Sequence, residues 1–219
     1  MRVAAAAALL WLAVAPALAH DPGPLPALDF EPPAPGTYTL HRIMAAPDGE
    51  VLDLAGRPQR LRQFTRDRIT VLGFVYTTCV DPEGCPLALR VFDALKRAVD
   101  ETPGLRRALR LVTLSFDPDH DTPAAMRGYA GDRPGDDGGV PWYFFTTRSR
   151  RALQPLLDGF GQDVRSTTER PGRRSRRELS HVLKVFLLDR AGVVREIYSS
   201  TFLHPRTVLN DIEVLRREP

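Results

Sequence analysis

Two cysteines, Cys79 and Cys85, are the only thiols in the chain. They flank an acidic loop in the stretch Tyr76-Thr77-Thr78-Cys79-Val80-Asp81-Pro82-Glu83-Gly84-Cys85-Pro86. Thiolates are soft ligands, so the pair suits cuprous copper, zinc or disulfide exchange. Two sulfurs leave a metal site incomplete, and a third ligand has to come from elsewhere. The histidines on offer are His20, His41, His120, His181 and His204. His181 stands out by position, because it closes a long polar stretch and opens the apolar strand Val182 to Leu188.

The elements around the cysteines explain why they matter. Ile69 to Tyr76 is a continuous apolar run, the pattern of a parallel strand buried on both faces. Pro86 sits at the favoured first position of a helix whose apolar face is Leu87, Val91, Leu95 and Ala98, with Ala88 and Phe92. The pair therefore lies between a strand's carboxyl end and a helix's amino end, where α/β domains place their chemistry. Free N–H groups and the positive end of the helix dipole favour thiolate there. Cys85, at the expected N-cap, is expected to be the more acidic thiol.

The remaining elements follow from pattern. Tyr38 to Met44 and Glu50 to Leu54 flank Pro47-Asp48-Gly49 and read as a hairpin. Leu109 to Phe116 is a second buried strand, Thr122-Pro123 opens a helix toward Ala130, and Trp142 to Thr146 is an aromatic strand. Arg150 to Phe160 reads as a helix despite Pro155, and residues 161–179 read as a polar loop. Val182 to Leu188 and Val193 to Tyr198 make a hairpin through Asp189-Arg190-Ala191-Gly192, and Pro205 opens a last helix with Val208, Ile212 and Leu215 on one face. A leading βαβ unit and a closing ββα unit form a thioredoxin-like α/β arrangement. It carries an amino-terminal β-hairpin and an inserted helix–strand element.

Length and composition bound the function. A domain near this size, 219 residues, buries roughly 70% of its unfolded surface and needs no disulfide to fold. A bridge closing so short a loop would add roughly 2 kcal/mol, so a purely structural disulfide is the weakest reading. Residues 1–19 read as a signal peptide: Arg2, an apolar run from Val3 to Ala15, and Ala17-Leu18-Ala19 as a cleavage site. That places the chain in the periplasm or another extracytoplasmic space. The alternative is an inner-membrane anchor formed by the uncleaved segment. Cleavage would expose His20, whose amine and imidazole offer a minor site for cupric copper. Residues 20–37 are proline-rich and read as a flexible tether, leaving 38–219 as the domain. Charge is nearly balanced at +3. The basic run Arg170 to Arg177 has no interleaved aromatics, which argues against nucleic acid. It reads as a solvated loop, with docking to an acidic partner or an anionic membrane as the lesser reading.

Four stretches carry a resemblance to the Sco/SenC family. They are Gly73-Phe74-Val75-Tyr76-Thr77-Thr78-Cys79 leading to Cys85-Pro86, Ser115-Phe116-Asp117-Pro118 with Asp121-Thr122-Pro123, Ser180-His181 with Asp189-Arg190-Ala191-Gly192, and the terminal helix. The resemblance runs from about Tyr38 to the carboxyl terminus. It implies a thioredoxin-like copper protein that assembles the copper centre of cytochrome c oxidase. It further implies Cys79, Cys85 and His181 as ligands of copper, as Cu(I) or Cu(II). Asp117 is implied near the site, beside the equally open reading of a strand-end residue that helps cap the next helix. The implied partners are the copper-bearing oxidase subunit or another copper chaperone, together with a thiol reductant protein. Two departures stand out. The family's usual spacing is Cys-x-x-x-Cys, and here the loop is two residues longer and holds Asp81 and Glu83. Val182 replaces the small hydroxyl residue that often follows the histidine. The main alternative is a thiol–disulfide oxidoreductase that uses Cys79 and Cys85 as a redox pair without a permanent metal. A thiol-peroxidase reading of Thr77-Thr78-Cys79 lacks the upstream proline it requires.

Overall fold

A computed structural model of the chain describes residues 25–135, 139–167 and 178–218. The expected leader at 1–19, His20 and the basic run 170–177 lie outside the described residues.

The strands are β1 (Met44–Ala45), β2 (Glu50–Leu52), β3 (Pro58–Arg60), β4 (Ile69–Val75), β5 (Leu109–Ser115), β6 (Trp142–Phe145), β7 (Val164–Thr167), β8 (Glu178–His181), β9 (Val185–Leu188) and β10 (Val193–Tyr198). The helices are α1 (Cys85–Asp100), α2 (Pro103–Arg106), α3 (Pro123–Ala130), α4 (Arg150–Phe160) and α5 (Pro205–Arg217). The main sheet has six strands in the order β1-β10-β9-β4-β5-β6. β4, β5 and β6 run parallel, β9 pairs antiparallel with β4, and β10 pairs antiparallel with β9. This is the thioredoxin-like arrangement, with α3 and β6 between its two halves.

The central strands are where continuous apolar runs place them. Every residue of β4, β5 and β9 is buried. Such runs suit strands covered on both faces, whereas a strand with one wet face alternates. α1 buries Leu87, Val91, Phe92, Leu95 and Val99, a stripe at helical spacing. It packs against β4 closely at Gly73, where a Cβ would stand 3.1 Å from Phe92 Cζ. Phe74, Phe160 and Phe186 meet beneath the sheet at centroid distances of 4.8–6.0 Å and tie α4 to β4 and β9. That packing sustains α4 through Pro155, which removes one intrahelical donor. Ser149 caps its start and Gly161, at φ 60°, its end.

Three local expectations are corrected. The amino-terminal hairpin joins Glu50–Leu52 to Pro58–Arg60, not Tyr38–Met44 to Glu50–Leu54. Met44 instead pairs with Val194 on the main sheet. Pro47-Asp48-Gly49 still turns the chain, but the Asp48 carboxylate binds the Arg60 guanidinium and the Arg62 N–H, so the turn serves the second hairpin. The polar stretch 161–179 is not all loop, because Val164–Thr167 pairs antiparallel with Glu178–His181. Finally, His181 ends β8, and the core strand begins only at Val185. The expected tether also makes contacts where it is described. Asn210 Nδ2 donates to the Pro33 carbonyl at 2.8 Å, Arg206 pairs with Glu31, and Pro32 is buried.

Candidate metal centre

The site forms where β4 ends and α1 begins. Tyr76 leaves β4, and a turn brings the Cys79 N–H to the Tyr76 carbonyl at 3.1 Å. The loop then folds on Asp81, whose carboxylate accepts the Glu83 N–H at 3.0 Å and whose carbonyl accepts the Gly84 N–H at 3.0 Å. This Asx-type turn makes the two extra residues an ordered return. Gly84 is the N-cap of α1 and Cys85 its first residue, so Cys85 lies one position inside the expected cap.

Neither cysteine is in a disulfide. Cys85 is buried and Cys79 half-buried. The Tyr76 N–H donates to Cys85 Sγ at 3.4 Å. Electrostatics reverse the expected order of acidity. The hydrogen bond from Cys85 pulls the Cys79 thiol down to about 6, against burial, with help from the backbone N–H groups of Cys85 and Asp81 and from the Tyr76 side chain. Cys85 is pushed up by that same bond, by burial and by the Cys79 thiolate. The N–H of the first residue of α1 acts on both sulfurs, and the deeper burial of Cys85 leaves Cys79 as the anion it favours.

His181 arrives from the carboxyl end of β8. Its ring lies edge-on to Tyr76 at 5.7 Å and against Phe116 at 4.7 Å. Nδ1 stands 3.2 Å from the Leu179 carbonyl, a pure acceptor, which puts the neutral ring's proton on Nδ1. Nε2 is thereby left with its lone pair, 3.9 Å from Cys85 Sγ. Of the four described histidines, His181 is the one beside the thiols. His204 caps α5 by accepting the Arg206 N–H, His41 lines a separate cavity, and His120 is exposed.

A buried carboxylate absent from the expected ligand set organises the loop. Asp121 accepts the Thr77 N–H at 3.1 Å, the Thr77 hydroxyl at 2.5 Å and the Ser115 hydroxyl at 2.5 Å. It thereby fastens the end of β5 to the residue two before Cys79. Its signal in the sequence was the Asp-Thr-Pro run that opens α3. Asp117, also buried, pairs with His120 Nδ1 at 3.0 Å and Arg150 at 3.4 Å. Its carbonyl accepts the N–H groups of His120 and Asp121, which turns the chain into α3.

The donor set fits a soft ion. Bonds from a first-row ion to thiolate and imidazole run about 2.3 Å and about 2.0 Å, so one ion can touch both atoms across the gap between Cys85 and His181. Among the described residues no three such groups already surround one point.

A thioredoxin-like domain with a cysteine pair at the first helix and a histidine facing it defines a class of thiol-dependent redox or metal-handling proteins. The SCO1/SenC family model matches residues 50–216, and the chain belongs to that family. ScoI of Bradyrhizobium japonicum, solved with copper bound, is similar at TM-score 0.60 and 18% identity over 79% of this chain and 98% of its own. Arabidopsis thaliana ScoI, also with copper bound, is similar at TM-score 0.63 and 15% identity over 80% and 99%. BsSco, a member of the Sco family of cytochrome c oxidase assembly proteins with an identified disulfide switch, is similar at TM-score 0.62 and 17% identity over 83% and 100%. No curated protein sequence matches the chain.

Proposed function

We propose that this protein binds copper through Cys79, Cys85 and His181 and serves in assembly of the copper centre of cytochrome c oxidase. The observation that carries the reading is the orientation of His181. Its Nδ1 is occupied by the Leu179 carbonyl, which fixes the tautomer and aims Nε2 at Cys85. Metal-binding histidines characteristically carry such a bond on the second nitrogen. Family membership and the copper-bound relatives support the choice of copper.

Copper is the cargo, and the residues divide the work. Cys79 supplies a ready thiolate on the accessible side. Cys85 and His181 supply the buried side, and Cys85 gives up its proton when copper arrives. Cys79 closes over the ion by movement of the Val80–Gly84 loop. Asp121 holds Thr77, and with it the base of that loop. Asp117 acts behind the site, through Arg150 and the turn into α3. The copper is passed to the copper-bearing subunit of the oxidase or exchanged with another copper chaperone, and a thiol reductant keeps the pair reduced. Residues 1–19 direct export to the periplasm and are cleaved after Ala19, or remain as an inner-membrane anchor. Residues 20–37 then lead into a domain of 38–219, with Phe30, Glu31 and Pro33 already seated on Phe202 and α5.

A second reading rests on the Cys79 thiolate. Half-exposed and held near 6, it can attack a partner's disulfide, releasing one partner thiolate and forming a mixed disulfide. Deprotonated Cys85 then attacks Cys79 Sγ, releasing the partner as a dithiol and leaving Cys79–Cys85 oxidised. Copper titration of the reduced protein separates the two readings. Stoichiometric binding lost in His181→Ala supports the copper role, whereas disulfide turnover indifferent to His181→Ala supports the oxidoreductase role.

A further inference from the structure

The described residues expose four large apolar side chains, Ile43, Val80, Val182 and Phe202. Val80 and Val182 each follow a residue of the thiol site. Ile43 and Phe202 line one cavity of about 470 Å³ between β10, α5 and the segment before β1, and none of its lining residues belongs to the thiol site. That volume is in the range of small-molecule sites.

The chemistry of this cavity is unusual for a surface cleft. Phe30, Tyr38 and Phe202 line it, with Phe30 and Phe202 5.8 Å apart. Two carboxylates, Glu196 and Asp211, line it as well. Asp211 accepts the hydroxyls of Tyr38 at 2.5 Å and Tyr198 at 2.6 Å, and it has no ion pair with a lysine or arginine among the described residues. Glu196 accepts only its neighbour's N–H, from Ile197 at 2.8 Å, and it too lacks a cationic partner among the described residues. Arg195 also lines the cavity, and its guanidinium is committed to Asp189, Glu218 and the Leu40 and His41 carbonyls. Burial pushes both carboxyls up, and Asp211 adds to the effect on Glu196; two tyrosine hydroxyls hold Asp211, which leaves Glu196 as the carboxyl open to a cation. Thr207 Oγ1, buried at the same cavity, has no hydrogen-bond partner.

Aromatic rings beside a carboxyl that has no cationic partner among the described residues, Glu196, suit an organic cation. The rings contribute their negative faces and Glu196 its charge, without the heavy desolvation that a small inorganic ion would suffer. We propose that this cavity binds an alkylammonium group, with a hydroxyl or ether oxygen alongside it to satisfy Thr207. The group can reach the cavity on a soluble amino alcohol or on a choline lipid headgroup. This site is independent of the copper reading.

The test uses the full chain with choline as the probe, followed by amide chemical shifts. Saturable shifts confined to Tyr38–Ile43, β10 and the start of α5 are expected. The neutral isostere 3,3-dimethylbutanol should bind about tenfold or more weakly, and Phe202→Ala and Glu196→Gln should each weaken choline by about tenfold, equal to about 1.4 kcal/mol. Phe202 is exposed, so its variant keeps the reading valid if Glu196→Gln fails to fold. Sedimentation with phosphatidylcholine vesicles distinguishes the sources. Retention lost in Phe202→Ala assigns the lipid headgroup, and free choline binding without retention assigns the soluble amine. Equal binding of choline and its neutral isostere, or no response in either arm, overturns the proposal. Copper titration of the same samples is expected to be unchanged.

Discussion

Cys79 and Cys85 share a scaffold but have opposite electrostatics, and the causes are their mutual interaction and the deeper burial of Cys85. The pair holds one proton and keeps it on Cys85. The thiolate is the nucleophile, so alkylation should rise with pH through about 6 and report Cys79 alone. In Cys85→Ala that interaction is gone, and the midpoint should move upward toward an ordinary thiol. Rates of iodoacetamide reaction between pH 5 and 9 check both statements. An unchanged midpoint in the variant would contradict the assignment. Helix position alone suggested the reverse order of acidity. Sequence tells which residue begins the helix, but not that the first N–H acts on both sulfurs or how deeply α1 buries its own first side chain. That His181 would stand beside the cysteines was implied by the family resemblance rather than by its spacing, because it ends β8 and the core strand begins only at Val185.

At the scale of elements, the site depends on the ends of β4 and β5 staying in register. Their parallel pairing brings Val75 opposite Ser115, and Asp121 then joins Ser115 to Thr77 just beyond. Asp121→Ala leaves the Ser115 and Thr77 hydroxyls and the Thr77 N–H without their acceptor, which should cost about 2–3 kcal/mol. Copper affinity should fall as well, because the base of the Cys79 loop is released. Urea unfolding and metal competition measure the two effects; loss of stability with full copper affinity would show that Asp121 does not position the site. The long elements could be read directly because burial on both faces writes itself as an uninterrupted apolar run, as in β4, β5 and β9. The short ones could not. Met44 pairs with Val194, and Val164 pairs with His181, and a two- to four-residue polar strand carries little pattern apart from its partner. Pro47-Asp48-Gly49 gave a true turn signal for the wrong pair of strands, because a turn does not say which edge is open.

Across the whole molecule, the two ends of the described chain are fastened by one buried guanidinium. Arg195, on β10, donates to the Leu40 and His41 carbonyls before β1, to Asp189 in the hairpin turn and to Glu218 after α5. Removing one member of such a buried network leaves the others unpaired, a loss of about 3–5 kcal/mol. At about 2–4 °C per kcal/mol for a domain of this size, Arg195→Ala should lower Tm by roughly 10 °C. Calorimetry checks this, and a shift of under about 2 °C would show that the network is dispensable. The thiol site lies at the other end of β4 and β9 from the β10 hairpin turn, so copper stoichiometry should survive the loss of stability. The proline-rich segment follows the same logic. Its composition suggests a free tether, yet Phe30, Glu31 and Pro33 find partners on Phe202 and α5, contacts that composition alone does not reveal.

The central claim is that two thiols and one imidazole form a single copper site. Anaerobic titration of the reduced protein with copper, followed by thiolate-to-copper charge-transfer absorption of the cupric form, tests it most directly. One copper per chain is expected, with loss of the band in Cys79→Ser and in Cys85→Ser and a fall in affinity of at least about tenfold in His181→Ala. Copper retained equally by the Cys79→Ser/Cys85→Ser double variant, or a His181→Ala protein indistinguishable from the parent, would contradict it.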